Sequence, residues 1–271
     1  MKYSTAIAAL ATAVVAAPNG VIDLGDDVKL VPRVPRAVQR VEALREITRG
    51  LKGAGTHGLN HAATNNTDAS YSNNWAGAVQ IGTGFDSVVG TIQVPTPSVP
   101  SGSSDQEQYS ASAWVGIDGD TCSTAILQTG VDFYAGRGGV YFDAWYEWYP
   151  DYAYTFSGFS ISAGDTVVMS VDASSKKAGT VTLENKTTGK KVSHSFSAES
   201  DELCEYNAEW IVEDFQVGSG LIPFADFDSV TFTDASPSVE GSTIINIRQN
   251  NEVFTDCSTS GTTEVTCDYV G

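Results

Sequence analysis

Residues 114–130 read WVGIDGDTCSTAILQTG and set a pattern that the rest of the chain repeats. Two apolar ends flank a segment of Gly, Asp, Thr and Ser, which predicts two short strands joined by a turn. The same alternation of strand-forming and turn-forming residues continues over residues 71–271. This spacing favours a single all-β domain built as a sandwich of antiparallel strands. Its predicted strands, besides those within 114–130, are 76–81, 88–94, 109–117, 140–149, 166–171, 180–185, 191–196, 207–215, 229–233 and 242–249.

The first residues predict export. Lys2, an apolar run over residues 6–15 and two following alanines indicate a secretory signal peptide of residues 1–17. No later run reaches the roughly 18 apolar residues that a membrane-spanning helix needs. We therefore expect a protein secreted to the extracellular space, with a buried helix or a membrane anchor as the alternative. Asn65 and Asn185 each begin an N-glycosylation sequon, a pattern that suits export but is also common by chance.

Residues 18–70 predict a pro-segment that contains one helix. Over about residues 36–52, apolar side chains recur at helical spacing while arginines occupy the other faces, as in a basic amphipathic helix. Residues 53–70 are rich in Gly, Asn, Thr and Ala, which is typical of a flexible linker open to proteolytic processing. A basic helix ahead of an acidic domain suggests a pro-segment lying across an acidic cleft, and a helix on a membrane surface is the alternative.

Charge is divided unevenly along the chain. The whole chain carries a formal charge of −18, whereas residues 71–271 hold seven Lys and Arg against 27 Asp and Glu, which is near −20. Nucleic acid is therefore not expected as a partner, because phosphate binding requires a cationic surface. The carboxylates suit a protein that works in acid, where protonation relieves their repulsion, although a soluble secreted surface explains them too.

Four cysteines predict disulfides. An even number in an exported chain favours pairing, and four cysteines allow three connectivities. Cys257 and Cys267 are ten residues apart with polar turn residues between them, which favours a bridge across a terminal hairpin. That pairing leaves Cys122 with Cys204.

Alternate residues of a strand share a face, so odd and even positions can be separated. In strand 140–149 an apolar face suited to the core is formed by Phe142, Ala144, Tyr146 and Trp148. The opposite face carries Asp143, Trp145, Glu147 and Tyr149. Large aromatic rings beside carboxylates suit the binding of an extended ligand. The alternative is an acidic surface whose aromatic residues pack on a neighbouring strand.

Glu213 and Gln128 are candidate catalytic residues. Glu213 follows an apolar stretch and shares a strand face with Phe215, where desolvation would raise the pKa of its carboxyl. A glutamate at a strand end that points to water is the plainer reading. Gln128 begins a Gln-Thr-Gly triplet, and since an amide cannot ionise it acts through hydrogen bonds. If these faces belong to one concave sheet, Gln128, Glu147 and Glu213 converge.

Familiar catalytic arrangements are missing from the sequence. His194 is the only histidine after residue 70, and no G-x-S-x-G turn accompanies it. No Asp-Thr-Gly or Asp-Ser-Gly triplet provides an aspartic-protease pair. No zinc-protease motif, paired Cys/His spacing or EF-hand loop occurs, and Asp118-Gly119-Asp120 alone is too short for calcium. We therefore expect no metal and no cofactor, which leaves carboxylate chemistry with an amide nearby.

Several blocks of residues 71–271 resemble the glutamic peptidases of fungi, the eqolisin family. They are NWAG from Asn74, WVGIDGDTC, AILQTG, DAWYEWYP, LENKTTGKKVSHSF and AEWIVEDF. The resemblance implies a concanavalin-like β-sandwich of two packed antiparallel sheets. It also implies a secreted, acid-active and pepstatin-insensitive endopeptidase that needs no cofactor, acts on polypeptides and is made with a signal peptide and an inhibitory pro-segment. We expect a monomer.

Carried over by motif, the resemblance makes Gln128 in AILQTG and Glu213 in IVED a catalytic dyad. Glu213 would take a proton from the water that attacks the scissile carbonyl and return it to the leaving amine. Gln128 would hold that water and stabilise the oxyanion. The residues implied to line the substrate groove are Trp75, Asp132, Trp145, Glu147, Tyr149 and Phe215. The chain departs from some relatives at Ser110 and Tyr134, where a cysteine can stand, and in its terminal cysteine pair.

The main rival is a glycan-binding module or a glycosidase on a lectin-like sandwich. Trp145 and Tyr149 would then stack on sugars, and Glu147 and Glu213 would be the paired carboxylates. This hypothesis predicts that losing the amide of Gln128 has no effect, whereas the dyad requires that amide.

Overall fold

The computed structural model describes residues 70–217 and 220–271, and of residues 216, 217, 220 and 221 it describes only the backbone. The predicted signal peptide, the basic helix and linker residues 53–69 lie outside the described residues. Every regular element within the described ranges is a strand. No helix there is long and apolar enough to span a membrane.

The strands follow one another closely along the chain. The eighteen in the described ranges are β1 (Ser70–Ser72), β2 (Trp75–Ile81), β3 (Ser87–Gln93), β4 (Gln108–Ile117), β5 (Ile126–Gly136), β6 (Tyr141–Tyr149), β7 (Tyr154–Thr155), β8 (Thr166–Ser175), β9 (Ala178–Asn185), β10 (Lys190–Phe196), β11 (Asn207–Glu213), β12 (Gln216–Val217), β13 (Gly220–Leu221), β14 (Ser229–Ser236), β15 (Thr243–Gln249), β16 (Glu252–Val253), β17 (Thr255–Ser260) and β18 (Glu264–Tyr269).

Two large sheets contain nearly all of these strands. The larger sheet has the order β1-β15-β2-β11-β4-β5-β6-β7, with β16 paired to β15. The smaller sheet has the order β10-β9-β8-β3-β14-β18-β17. The pairs are antiparallel except β1 with β15, which is parallel. One apolar cluster joins the facing sides of the two sheets, which confirms the predicted all-β sandwich.

The stretch 114–130 occupies the middle of the larger sheet. It forms the end of β4 and the start of β5, and β5 extends well beyond it to Gly136. The turn between the two strands depends on Asp118, which has a φ of 67°. Its buried carboxylate accepts hydrogen bonds from the backbone N–H groups of residues 204–207 at 2.7 to 3.2 Å. These bonds attach the β4–β5 turn to the segment that leads into β11.

Both disulfides have the predicted pairing. Cys122 in the β4–β5 turn is bonded to Cys204 just before β11, with their Cα atoms 6.0 Å apart. Cys257 and Cys267 lie opposite each other on the β17–β18 hairpin, with their Cα atoms 4.1 Å apart. The first bridge therefore reinforces the connection that Asp118 makes, and the second closes a local hairpin.

Trp210 anchors β11 in the core between the sheets. The even residues of β11 point into this core, as strand parity predicts. The Trp210 side chain is fully buried, and its Nε1 donates to the backbone O of Val89 in the smaller sheet at 2.7 Å. A Cβ on Gly90 would lie 3.0 Å from the Trp210 ring, so glycine there leaves space for the indole. The odd residues of β11, including Glu213, consequently face away from the core.

Asn185, the first residue of the second sequon, ends β9 with its side chain completely buried. Its Nδ2 donates to Asp165 Oδ2 at 2.8 Å, and its Oδ1 accepts from the N–H groups of Thr187 and Thr188 at 3.0 and 3.1 Å. The amide therefore builds the β9–β10 turn and is not accessible to a sugar in the folded protein.

Candidate active site

The face of the larger sheet opposite the core carries a second apolar cluster. Its members are Trp75, Val79, Trp114, Ile126, Trp145, Ala153, Ile211 and Ile245, with Tyr149 packed against them. Trp75 and Trp114 meet edge to face with their ring centroids 4.5 Å apart. Glu147 shares this face and is completely buried. The face is therefore a packed cluster of aromatic residues with a buried carboxylate: its rings pack on neighbouring strands, as the alternative expected, while Glu147 is buried and does not lie on an acidic surface.

Gly130 leaves room for two of these indole rings. Strand register places it between Trp114 on β4 and Trp145 on β6. A Cβ at position 130 would lie 2.5 Å from Trp114 Cβ and 2.9 Å from Trp145 Cζ2, which is closer than atoms can approach. The indole N–H of Trp145 donates to Ser112 Oγ at 3.2 Å. The glycine of the Gln-Thr-Gly triplet is thus required by the packing of the site.

Glu213 lies at the end of β11, opposite Trp75 on β2 and Ser112 on β4. Its carboxylate is completely buried. Oε2 accepts from Trp114 Nε1 at 2.9 Å, and Oε1 accepts from Asn74 Nδ2 at 3.4 Å. These donors favour the ionised carboxylate and oppose the cost of its burial. The plainer reading, in which Glu213 points to water, is wrong because β11 is a central strand whose end is enclosed by β2 and β4.

Gln128 is held by a carboxylate on the neighbouring strand. It lies opposite Glu147, and its Nε2 donates to Glu147 Oε2 at 2.7 Å. The amide is 1% exposed, and its Oε1 has no hydrogen-bond partner among the described residues. An amide nitrogen carries two hydrogens. One N–H is used by Glu147, so the other N–H remains as a donor and Oε1 as an acceptor.

The two proposed catalytic side chains lie on one face, on either side of Trp114. Gln128 is on β5 and Glu213 on β11, with β4 between these strands. Gly116 is opposite Gln128 and Ser112 is opposite Glu213, so the two side chains are offset by four residues along the strands. Of the three residues expected to converge, Gln128 and Glu147 are therefore in direct contact. Glu213 lies on the same face but is separated from both by the indole of Trp114.

The remaining predicted groove residues surround these two positions. Trp75 and Asp132 lie in the same register row as Glu213, on β2 and β5. The hydroxyl of Tyr134 donates to Asp132 Oδ2 at 3.1 Å, and its ring meets Phe215 edge to face at 5.9 Å. Tyr149 lies two residues beyond Glu147 on β6, and burial followed by the charge of Glu147 raises the pKa of its phenol.

Sequence reasoning did not assign roles to three side chains that hold the site. Trp114 and Ser112 share a face of β4, so strand parity within the predicted strand 109–117 could have grouped them. Asn74 gave no comparable signal, because its partner Glu213 lies 139 residues away and the contact depends on the pairing of β2 with β11.

One cluster with the spacing of metal ligands occurs in the described ranges, at the β4–β5 turn and the segment before β11. It consists of Asp118, Cys122 and Cys204. The two sulfur atoms form a disulfide, and the carboxylate already accepts backbone hydrogen bonds. These groups therefore act as a covalent and polar connection between segments.

Comparisons with known proteins agree with this geometry. The model of the peptidase A4 family matches residues 73–269. Aspergillopepsin-2 of Aspergillus niger is 51% identical over 226 residues, which cover 75% of this chain and 80% of that protein. Scytalidopepsin B of Scytalidium lignicola is 48% identical over 243 residues, which cover 84% of this chain and 90% of that protein.

Solved structures give the same answer. The crystal structure of scytalido-glutamic peptidase with a transition state analog inhibitor matches with a TM-score of 0.67 at 49% identity, covering 73% of this chain and 98% of that one. Aspergilloglutamic peptidase from Aspergillus niger matches with a TM-score of 0.57 at 53% identity, covering 60% and 99%. The chain belongs to the peptidase A4 family, the eqolisins, and is a glutamic-type endopeptidase.

Proposed function

We propose that this endopeptidase is secreted, works in acid and cleaves polypeptides with Glu213 and Gln128 as its dyad. The observation that carries the proposal is the pairing, on one face, of a carboxylate held by an indole N–H with an amide held by a carboxylate. The first group is suited to accept a proton and the second to orient a polar substrate group.

The reaction begins with a water molecule between Glu213 and the scissile carbonyl. Glu213 takes a proton from the water as its oxygen bonds to the carbonyl carbon, and the carbonyl oxygen becomes an oxyanion. The same carboxyl then gives the proton to the leaving amine, which breaks the C–N bond and restores the carboxylate. Trp114 Nε1 and Asn74 Nδ2 keep the carboxylate oriented during both transfers.

Gln128 supplies the electrophilic half of the dyad. Its second N–H donates to the developing oxyanion, and its Oε1 accepts from the attacking water. A preorganised oxyanion donor of this kind contributes about 3 to 4 kcal/mol to transition-state stabilisation. Glu147 fixes which way the amide faces, because an amide nitrogen donates to a carboxylate and an amide oxygen cannot.

The aromatic face of the larger sheet would bind the substrate. Trp75, Trp145, Tyr149 and Phe215 would line the groove together with Asp132 and Glu147. Large rings bind an extended polypeptide through its apolar side chains, while carboxylates accept from its backbone N–H groups. The relatives are peptidases, so the glycan-binding and glycosidase alternative is not favoured.

We assign the parts of the chain accordingly. Residues 1–17 are a signal peptide that directs the protein to the extracellular space, and residues 18–70 are a pro-segment that inhibits the catalytic domain of residues 71–271. The acidic catalytic domain attracts the basic pro-segment at neutral pH, and protonation of its carboxylates in acid weakens that attraction. The protein acts as a monomer without a metal or cofactor.

The dyad is tested by Gln128→Ala and Glu213→Gln. Each is expected to abolish cleavage of an unstructured protein at low pH, while circular dichroism shows an unchanged fold. The unmodified protein should cleave the same substrate equally well with and without pepstatin. Gln80→Ala and Glu184→Gln are matched controls, because both side chains lie outside the site and should leave activity intact. Substantial activity in either dyad variant would exclude the assignment. Maturation of purified Glu213→Gln precursor at low pH would exclude self-processing.

A further inference from the structure

Asp214 is a buried carboxyl group for which the catalytic scheme has no use. It follows Glu213 directly at the end of β11, and 1% of its surface is exposed. Oδ2 accepts from the side chain of Gln249, the last residue of β15, at 2.6 Å. Oδ1 is buried and has no hydrogen-bond partner among the described residues. A buried ionised carboxylate with an unsatisfied oxygen would be costly, and a protonated carboxylic acid there costs less.

The surroundings of Asp214 favour the protonated form. Burial, and then the negative charge of Glu213, raise the pKa of Asp214 to about 8, although the bond from Gln249 acts in the opposite direction. Tyr269 approaches from β18, and its own pKa is raised in part by Asp214. The guanidinium of Arg248 on β15 lies over the ring of Tyr71 at 3.9 Å. In acid, Asp214 is therefore uncharged while it lies beside the proposed base.

Asp214 holds a short segment on the other side of Glu213. Gln249 Nε2 donates both to Asp214 Oδ2 and to the backbone O of Asn73 at 2.8 Å. The backbone N–H of Asp214 donates to the backbone O of Asn74 at 2.9 Å. The adjacent residues 73 and 74 are thus attached to Asp214, one through Gln249 and the other directly.

The segment held in this way carries a ligand of the proposed base. Asn74 Nδ2 donates to Glu213 Oε1 at 3.4 Å, and Ser72 Oγ donates to Asn74 Oδ1 at 3.3 Å. Both distances are at the long end of the hydrogen-bond range. A movement of residues 73 and 74 by a few tenths of an ångström would therefore break the contact with Glu213.

We propose that Asp214 is a positioning residue which, as a neutral carboxylic acid bound to Gln249, holds Asn74 on Glu213 and leaves Glu213 as the single anion of this pair. The proposal rests on the proposed role of Glu213 as the base. It assigns to Asp214 both a mechanical role, through the segment 73–74, and an electrostatic one, through the absence of a second negative charge beside the base.

The kinetic test compares Asp214→Asn with Asp214→Ala. Asparagine keeps the shape and neutrality of the acid, so kcat at low pH should stay within about threefold of the unmodified enzyme. Alanine removes the bond that fixes Gln249 and so loosens the hold on Asn73, although the backbone N–H at position 214 still bonds to the backbone O of Asn74. We expect kcat to fall roughly 10-fold or more with little change in KM, because the hydrogen bond from Asn74 to the charged Glu213 is weakened. Asn74→Ala should give a similar loss, and the double variant with Asp214→Ala should add little to it.

Two results would overturn the proposal. One is an unchanged kcat in Asp214→Ala, and the other is an equal loss in Asp214→Asn and Asp214→Ala. Asp172→Asn, an exposed strand aspartate, serves as the control for removal of one carboxylate. If Asp214→Ala fails to fold, Gln249→Ala removes the same link from the other side and should lower kcat alike.

A second measurement does not depend on catalysis. Because the pKa of Asp214 is raised on folding, its contribution to stability is complete below about pH 4 and is lost as the pH rises towards 8. The unmodified protein should therefore lose more of its melting temperature between pH 4 and pH 8 than Asp214→Asn does. Equal losses would show that Asp214 is not held neutral. An active Glu213→Gln variant would exclude the proposed dyad. The comparison of melting temperatures would still test whether Asp214 is held in its neutral form.

Discussion

Trp114→Phe should move the pH dependence of cleavage without removing the site. Trp114 Nε1 donates to Glu213 Oε2 at 2.9 Å, and both side chains are completely buried. Phenylalanine keeps an aromatic ring against Trp75 but has no N–H. The ionised carboxylate then loses its closer donor, so its protonated form becomes relatively more stable and the pKa of Glu213 rises.

The size of the effect follows from the bond that is lost. A buried hydrogen bond to a charged group contributes about 1.5 to 3 kcal/mol. One pH unit corresponds to about 1.4 kcal/mol. If Glu213 is the general base, the acid limb of the kcat/KM profile should therefore move upwards by roughly one to two pH units. The measurement is the rate of hydrolysis of a quenched fluorescent peptide across the acidic range at substrate concentrations below KM.

Trp145→Phe is the matched control. Trp145 is equally buried on the same face, but its Nε1 donates to the neutral hydroxyl of Ser112 at 3.2 Å. Its replacement should cost packing energy and leave the acid limb where it is. An acid limb that stays in place in Trp114→Phe would refute the reasoning. An equal movement in both variants would do so as well, because the effect would then come from packing.

Two further predictions concern stability. Replacing Cys122 and Cys204 by serine opens an 82-residue loop and should lower the free energy of unfolding by about 4.5 kcal/mol. The same change at Cys257 and Cys267 opens a ten-residue loop and should cost about 2.7 kcal/mol. Urea unfolding of the two double variants measures both losses, and equal losses would contradict the dependence on loop length. Burial lowers the pKa of His194, whose ring stacks on Tyr146 at 4.2 Å. Folding therefore favours the neutral imidazole, and stability is lost as the pH falls below about 6.5. His194→Gln should reduce the fall in melting temperature between pH 7 and pH 5, and an unchanged fall would show that His194 does not cause it.

Strand parity was sufficient to predict which face of β6 and which face of β11 point away from the core and carry the candidate site residues. The alternation in β6 separated Trp145 and Glu147 from the core residues, and the alternation in β11 separated Glu213 from Trp210. Parity depends only on neighbours along the chain, so it can be read from a single strand. The cysteine pairing was also predictable, because the ten-residue separation of the terminal pair left one choice for the other two.

The parts that were not predicted depend on long-range pairing. Parity alone could not decide between a desolvated and a water-facing Glu213, because the sequence does not show that β11 lies between β2 and β4. The role of Asn74 and the link from Gln249 to Asp214 require β2, β11 and β15 to be neighbours. The parallel pairing of β1 with β15 likewise has no local pattern. Such contacts are fixed by the packing of the whole sheet and by no segment alone.

The buried amide of Asn185 has a consequence for biosynthesis. An oligosaccharide on Nδ2 would remove the bond to Asp165 and could not fit inside the β9–β10 turn. In a compartment where sequons are modified, folding of this hairpin and attachment of sugar would compete for the same nitrogen atom. The two outcomes exclude each other, so each newly made molecule either closes the turn first or carries a glycan that keeps the turn open. Sugar found at this position would thus identify the molecules in which the hairpin closed too late.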